Sequence, residues 1–253
     1  MSKKTFSFLP VAAILSLGLT LPAAADVVIS DPAGDDNGPG SYTYPTDGVY
    51  LRGSFDLTEL KIGKRGVDVT LGSNLADPWG MDVGFSVQMI FVFIDSKPGG
   101  HTDAPPGLNV TFAEDSGWEK CLILSPQPSA RVKQEIESKA PGMAADLVVP
   151  RRTSGAGRTI SGDVKIESLG EGDPASWKYQ VVVQSNEGFP SEGDLLTRKV
   201  NEFEGQHRFG GGTDFDCDPH AMDILGDHAA QLAYECAADG KAKKAATLKT
   251  VSP

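Results

Sequence analysis

The residues best suited to chemistry lie in an acidic loop near the start of the chain. In the segment DPAGDDNGPG, the carboxylates of Asp31, Asp35 and Asp36 and the amide of Asn37 fall within seven residues. Glycine and proline favour a compact turn that can direct several oxygens inward. Calcium takes about six to eight oxygen ligands. We therefore predict a calcium site here; the alternative is a polar turn whose Asp side chains accept hydrogen bonds from local N–H groups.

A second acidic loop follows three consecutive glycines at 210–212. It places carboxylates at alternate positions, in Asp214, Asp216 and Asp218. This ladder also predicts calcium, although Pro219 stands where an EF-hand loop has glycine and no Glu lies at the twelfth position. A solvated acidic loop is the alternative. Asp223 and Asp227 could join either arrangement.

Aromatic side chains are the other resource for ligand binding. Four are candidates for stacking on sugar rings: Trp79, Trp118, Tyr42 and Tyr44. Core packing is the competing interpretation for each, because aromatic rings dominate the interiors of sandwiches. Trp79 lies in the turn-forming stretch Asp-Pro-Trp-Gly, so we expect its ring to be exposed.

Signatures of catalysis are missing from the sequence. It contains no G-x-S-x-G, P-loop or dinucleotide fingerprint. The four histidines lack the H-E-x-x-H spacing of a zinc site, and no C-x-x-C-H motif predicts covalent haem. A glycosidase needs two carboxylates at a suitable separation, but no paired site stands out. We therefore predict no catalytic residues and no enzyme activity.

The first 25 residues have the three parts of a secretory signal peptide. Lys3 and Lys4 precede an apolar run over 8–22, and the small residues at 23–25 offer a cleavage site before Asp26. An uncleaved anchor is the alternative, but the run is short for a membrane span. We expect no transmembrane segment after cleavage and a periplasmic, cell-surface or secreted protein.

Export permits disulfides, and the chain has three cysteines. Cys217 and Cys236 are close in sequence and are the favoured pair, which leaves Cys121 over.

The formal net charge of −11 argues against nucleic acid and anionic lipid as partners, since both bind basic patches.

The rest of the chain predicts an all-β sandwich, because short apolar runs alternate with Gly- and Pro-rich turns. The run 85–94 becomes wholly apolar, as in a central strand covered on both faces. Val132 and Ile136 predict a helix over 129–139. We expect one binding module over 26–240 and a flexible tail over 241–253. The predicted strands are 50–55, 57–62, 67–71, 85–94, 109–112, 120–124, 159–166 and 177–184.

Motifs in this order resemble one family. The run from Asp31 to Thr46 (DPAGDDNGPGSYTYPT), followed by Phe-Asp-Leu-Thr at 55–58, is similar to the opening of the C-terminal binding module of glucodextranase, which also occurs in amylopullulanases and surface-layer-associated proteins. Further matches are NLADPW at 74–79, GFSVQ at 84–88, PGLN at 106–109, WKY at 177–179 and RFGGG at 208–212. The resemblance covers about residues 29–227.

This resemblance implies a DOMON-like (immunoglobulin-like) β-sandwich with short helices in its connections. It also implies a non-catalytic module that binds a polysaccharide or cell-envelope glycan. The two acidic loops add calcium to this expectation as a stabilising ion. DOMON relatives can instead hold b-type haem for electron transfer through Met with His or Lys. The residues that could do so here are Met81, Met89 and Met222 with His101, His207 or Lys178.

Overall fold

A computed structural model of the protein describes residues 26–213 and 217–253. Within them the chain forms an all-β sandwich with short helices in its connections, as predicted. The predicted signal peptide lies outside the described residues. The strands are β1 (Val27–Ser30), β2 (Leu57–Gly63), β3 (Gly66–Leu71), β4 (Gln88–Asp95), β5 (Thr111–Phe112), β6 (Lys120–Leu124), β7 (Leu147–Val148), β8 (Arg152–Ala156), β9 (Thr159–Asp163), β10 (Lys178–Ser185), β11 (Asp223–Ile224), β12 (Glu235–Cys236), β13 (Ala242–Lys244) and β14 (Thr247–Leu248); the helices are α1 (Ser129–Lys139), α2 (His228–Gln231) and 3-10 turns at Glu114–Ser116, Ile166–Ser168 and Pro174–Ser176.

Two five-stranded sheets form the sandwich. The first has the order β1-β2-β3-β9-β8, and all its neighbours are antiparallel. The second has the order β11-β10-β4-β6-β7, with a parallel pairing of β6 and β7. In β3, Val67, Val69 and Leu71 are buried at alternate positions. This period of two turns one face of the first sheet toward the second.

The strand β4 is buried at every position, because apolar layers cover both of its faces. Ile90, Val92 and Ile94 belong to the cluster between the two sheets. Phe91 and Phe93 belong to a second cluster, which α1 closes with Val132 and Ile136. The prediction of a central strand covered on both sides is confirmed.

The structure differs from the sequence prediction at both ends of the module. Residues 50–55 form turns rather than a strand, with Ser54 N–H donating to Leu51 O at 2.9 Å. The expected flexible tail instead pairs with the body: β14 lies beside β5, and Val251 pairs with Tyr179. Ala246 and Leu248 are buried in the second cluster, and their burial holds the segment in place.

A disulfide joins Cys217 and Cys236, with their Cα atoms 5.7 Å apart, and Cys121 is a buried free thiol. In the part of the chain that the structure describes, no helix has the length and apolar character needed to cross a membrane.

Candidate functional site

Three aspartates from separate parts of the chain meet beside the opening loop. Asp31 directly follows β1, Asp35 lies in the loop after it, and Asp223 begins β11 at the edge of the second sheet. Each offers a carboxylate oxygen, and these oxygens lie within 4.8 Å of one another. The sequence alone ranked Asp223 only as an optional member. We call Asp31, Asp35 and Asp223 the carboxylate cluster.

Backbone N–H groups orient two of these carboxylates. Gly226 N–H donates to Asp31 Oδ1 at 2.7 Å, and Leu57 N–H donates to Asp223 Oδ2 at 2.6 Å. Oδ2 of Asp31 and Oδ1 of Asp35 are buried, and neither has a hydrogen-bond partner. Buried polar atoms without partners are rare in folded proteins. These two oxygens therefore mark a place suited to a cation.

The electrostatics of the carboxylate cluster are strongly unfavourable to three negative charges. Burial, together with the charges of Asp35 and Asp56, raises the pKa of Asp31 to about 7, against a lowering hydrogen bond from Gly226. Burial, with the Asp35 and Asp31 charges, also raises the pKa of Asp223 well above its ordinary value. A bound cation would offset both the burial and the mutual repulsion.

The other residues predicted to bind metal are placed differently. Asp36 accepts a hydrogen bond from the Tyr44 hydroxyl. Asp218 accepts from Thr213 N–H at 2.9 Å and lies beside the Cys217–Cys236 disulfide, whose sulfurs are bonded to each other. Asp214 and Asp216 lie outside the described residues. The second acidic loop thus has no described set of converging oxygens.

Three of the four candidate aromatics are held inside the fold. Trp118 is fully buried, and its indole N–H donates to Asp103 O at 3.1 Å. Tyr42 is buried, with its hydroxyl donating to Pro219 O at 2.7 Å. Tyr44 is partly buried against Phe209. Packing therefore covers most of the surface of these rings, although Tyr42 and Tyr44 do line a cleft of about 350 Å³.

Trp79 is exposed, as its turn predicts, with 51% of its surface open to solvent. Its ring meets His207 edge-on at a centroid distance of 6.0 Å. Phe203, four residues before His207 in the chain, is 73% exposed, and Phe189 is 94% exposed. We call Trp79, Phe189, Phe203 and His207 the aromatic patch; the ring contact within it joins Trp79 to His207, and Phe203 shares the loop of His207. The sequence reasoning missed both phenylalanines, since phenylalanine is ordinarily a core residue.

One partly buried ion pair links two loops of the aromatic patch. Arg198 Nε lies 2.9 Å from Glu187 Oε2, and Nη1 of the same arginine donates to the carbonyl of His207. Glu187 Oε1 also accepts from Phe189 N–H at 3.0 Å. A planar guanidinium pairs with a carboxylate through two bonds and so fixes orientation. The loops that carry Phe189 and His207 are thereby linked.

Two of the methionines considered for haem lie in different interiors. Met89 lies in the cluster under α1, whereas Met222 lies in the cluster between the sheets. His101 Nε2 lies 2.8 Å from Asp146, and Lys178 pairs with Asp95 at 3.5 Å. These contacts account for four of the six residues considered, and haem binding stays a prediction.

Comparison with known proteins agrees with this architecture. A family model described as the C-terminal binding-module, SLH-like, of glucodextranase matches residues 27–250. No curated protein matches the chain.

Proposed function

Because the chain belongs to the family of SLH-like C-terminal binding modules of glucodextranase, we propose that it is an exported, non-catalytic module that binds a polysaccharide or cell-envelope glycan. The family is a binding module and not a catalytic domain, which supports a role without chemistry. The pattern of residues 1–25 supports export. Calcium enters this proposal as a stabilising ion.

The observation that carries the glycan assignment is the exposure of the aromatic patch. A soluble protein gains nothing in folding from an aromatic ring left in water. The faces of Trp79, Phe189 and Phe203 are free to stack on the apolar faces of sugar rings. Exposed polar side chains lie in the same loop as Phe203 and can bond hydroxyl groups; they are Asn201, Glu202, Glu204, Gln206 and Arg208.

Affinity electrophoresis tests this assignment directly. The purified protein is run through gels that contain α-glucans or cell-envelope polysaccharides. We expect at least one of them to retard the protein, and we expect Trp79→Ala and Phe189→Ala each to weaken retention about tenfold, since one lost stacking contact is worth about 1.4 kcal/mol.

Val28→Ala is the matched control, because Val28 is an exposed apolar residue on β1. It should leave retention unchanged. Absence of retardation on every polysaccharide would contradict glycan binding. Retardation that survives both aromatic substitutions would place the glycan elsewhere on the module.

A further inference from the structure

We propose that Asp31, Asp35 and Asp223 form a binding site for a hard divalent cation, for which calcium is the best match. None of these three residues belongs to the aromatic patch, so cation binding can be measured without a glycan. The proposed ligands do not all come from one acidic loop, because Asp223 belongs to β11.

The carboxylate oxygens of the three aspartates converge on one place. The three oxygens lie within 4.8 Å of one another. Two oxygens bound to one Ca²⁺ at about 2.4 Å each cannot be more than about 4.8 Å apart. The three carboxylates therefore meet this necessary condition for binding a single ion.

Two carboxylate oxygens of the cluster also lack hydrogen-bond partners. Asp31 Oδ2 and Asp35 Oδ1 are buried without partners, beside the Asp223 side chain, which is 0% exposed. Leaving a buried polar atom unpaired is unfavourable, and more so when it carries charge. A cation between these oxygens would give both of them a partner.

The negative charges of the three aspartates have little positive charge nearby to balance them. In the described part of the chain, no Lys or Arg forms an ion pair with these three aspartates. The basic side chain in contact is His228, whose Nε2 lies 3.8 Å from Asp223 Oδ1. Among the described residues, these carboxylates therefore have no permanently charged side chain as an ion-pair partner.

The chemistry of the ligands selects the class of metal. All three ligands are carboxylates, and hard oxygen ligands suit calcium or magnesium rather than zinc or copper. Two of them come from an irregular loop at the end of β1 rather than from a rigid scaffold. Calcium tolerates irregular geometry, whereas magnesium demands a near-ideal octahedron.

The position of the site implies a structural role. Asp31 continues from a strand of the first sheet, and Asp223 belongs to a strand of the second. A cation bound by both would join the two sheets at the start of the module. We therefore expect the metal to raise the free energy of unfolding.

Calorimetric titration of the chelator-treated protein with CaCl₂ tests the site, with a thermal melt as the second measurement. We expect saturable binding and a rise in melting temperature of about 5–10 °C at a hundredfold excess over Kd. Magnesium should produce a smaller shift at the same concentration. Neither measurement needs a glycan, so its outcome is separate from that of the proposed function.

Asp35→Asn should weaken calcium binding by about tenfold or more, because it removes the charge of one of the three carboxylate ligands. It lies in a loop and is the variant least disruptive to folding; Asp223→Asn tests the buried ligand. Asp82→Asn is the control, because Asp82 is exposed and forms no part of the cluster. No saturable binding to the unmodified protein, or equal binding by Asp35→Asn, would overturn the proposal.

Discussion

At the scale of single residues, the same residue type has opposite roles at different positions. Trp79 and Trp118 both looked suited to stacking on sugars, yet Trp118 is fully buried against Phe93 and His101. The turn around Trp79 was a usable local signal, because Asp-Pro-Trp-Gly cannot continue a strand. No comparable signal marks Trp118, whose burial depends on residues far away in sequence.

The ion pair of Arg198 and Glu187 yields a prediction at this scale. Both side chains are largely buried, so Glu187→Gln leaves the guanidinium without its countercharge. We expect the free energy of unfolding to fall by about 1–3 kcal/mol, as measured by urea denaturation. Glu192→Gln, at an exposed position, is the control and should change stability little.

The same pair predicts a pH dependence. Burial opposes ionisation of Glu187, but hydrogen bonds from Phe189 N–H and Arg198 outweigh it and hold the pKa below its ordinary value of 4.5. The stabilisation is therefore present above pH 4.5 and is lost as pH falls through the lowered pKa. The difference between the unmodified protein and Glu187→Gln should shrink below pH 4.5. A difference that stays constant down to pH 3 would contradict this assignment.

At the scale of elements, α1 shows how far local periodicity reaches. Val132 and Ile136 recur at i, i+4 among polar residues, and the helix has the predicted bounds of 129–139. The pattern also identified the buried face, which closes the second cluster under β4. The bounds of α1 and its buried face both follow from the helical spacing of its apolar residues. Neither requires knowledge of the surface against which the helix packs.

We expect Ile136→Ala to lower the free energy of unfolding by about 2–4 kcal/mol, because the change leaves a cavity in the second cluster. Glu137→Ala, one position further on the exposed face, should be close to neutral. Chemical denaturation of both variants checks the pair. Equal losses would mean that α1 contributes little packing to the core.

At the scale of the whole molecule, the opening loop connects the carboxylate cluster to the aromatic patch. The loop begins at Asp31 and pairs further on with the segment that carries Phe203 and His207. Thr46 N–H donates to Gly205 O at 3.0 Å, and Asp47 N–H donates to Gln206 O at 3.1 Å. A change in the opening loop at the carboxylate cluster is therefore expected to shift the aromatic rings near its other end.

If both proposals hold, removing calcium should weaken glycan retention, and adding it back should restore retention. Affinity electrophoresis in the presence of chelator or CaCl₂ measures the effect. The Asp35→Asn variant should respond less to either addition. Retention that is identical in chelator and in calcium would show that the two sites act independently.

The sequence by itself determined the features that depend on neighbouring residues. These are the sandwich class, the central strand β4, the helix α1, the turn that exposes Trp79, and the ordered motifs over about residues 29–227 that resemble the family whose model matches residues 27–250. Each of these features depends on a short periodicity or on a run of specific residues. Both kinds of pattern can be recognised without knowing the fold.

Only the tertiary structure decided which distant residues meet. Asp223 reaches Asp31 because β11 pairs with β10 at the edge of the second sheet, while Asp31 leaves β1 at the edge of the first. The C-terminal segment, expected to be flexible, is ordered because β14 pairs with β5 and buries Leu248. Strand order and long-range burial set these contacts, and neither is encoded in a local period.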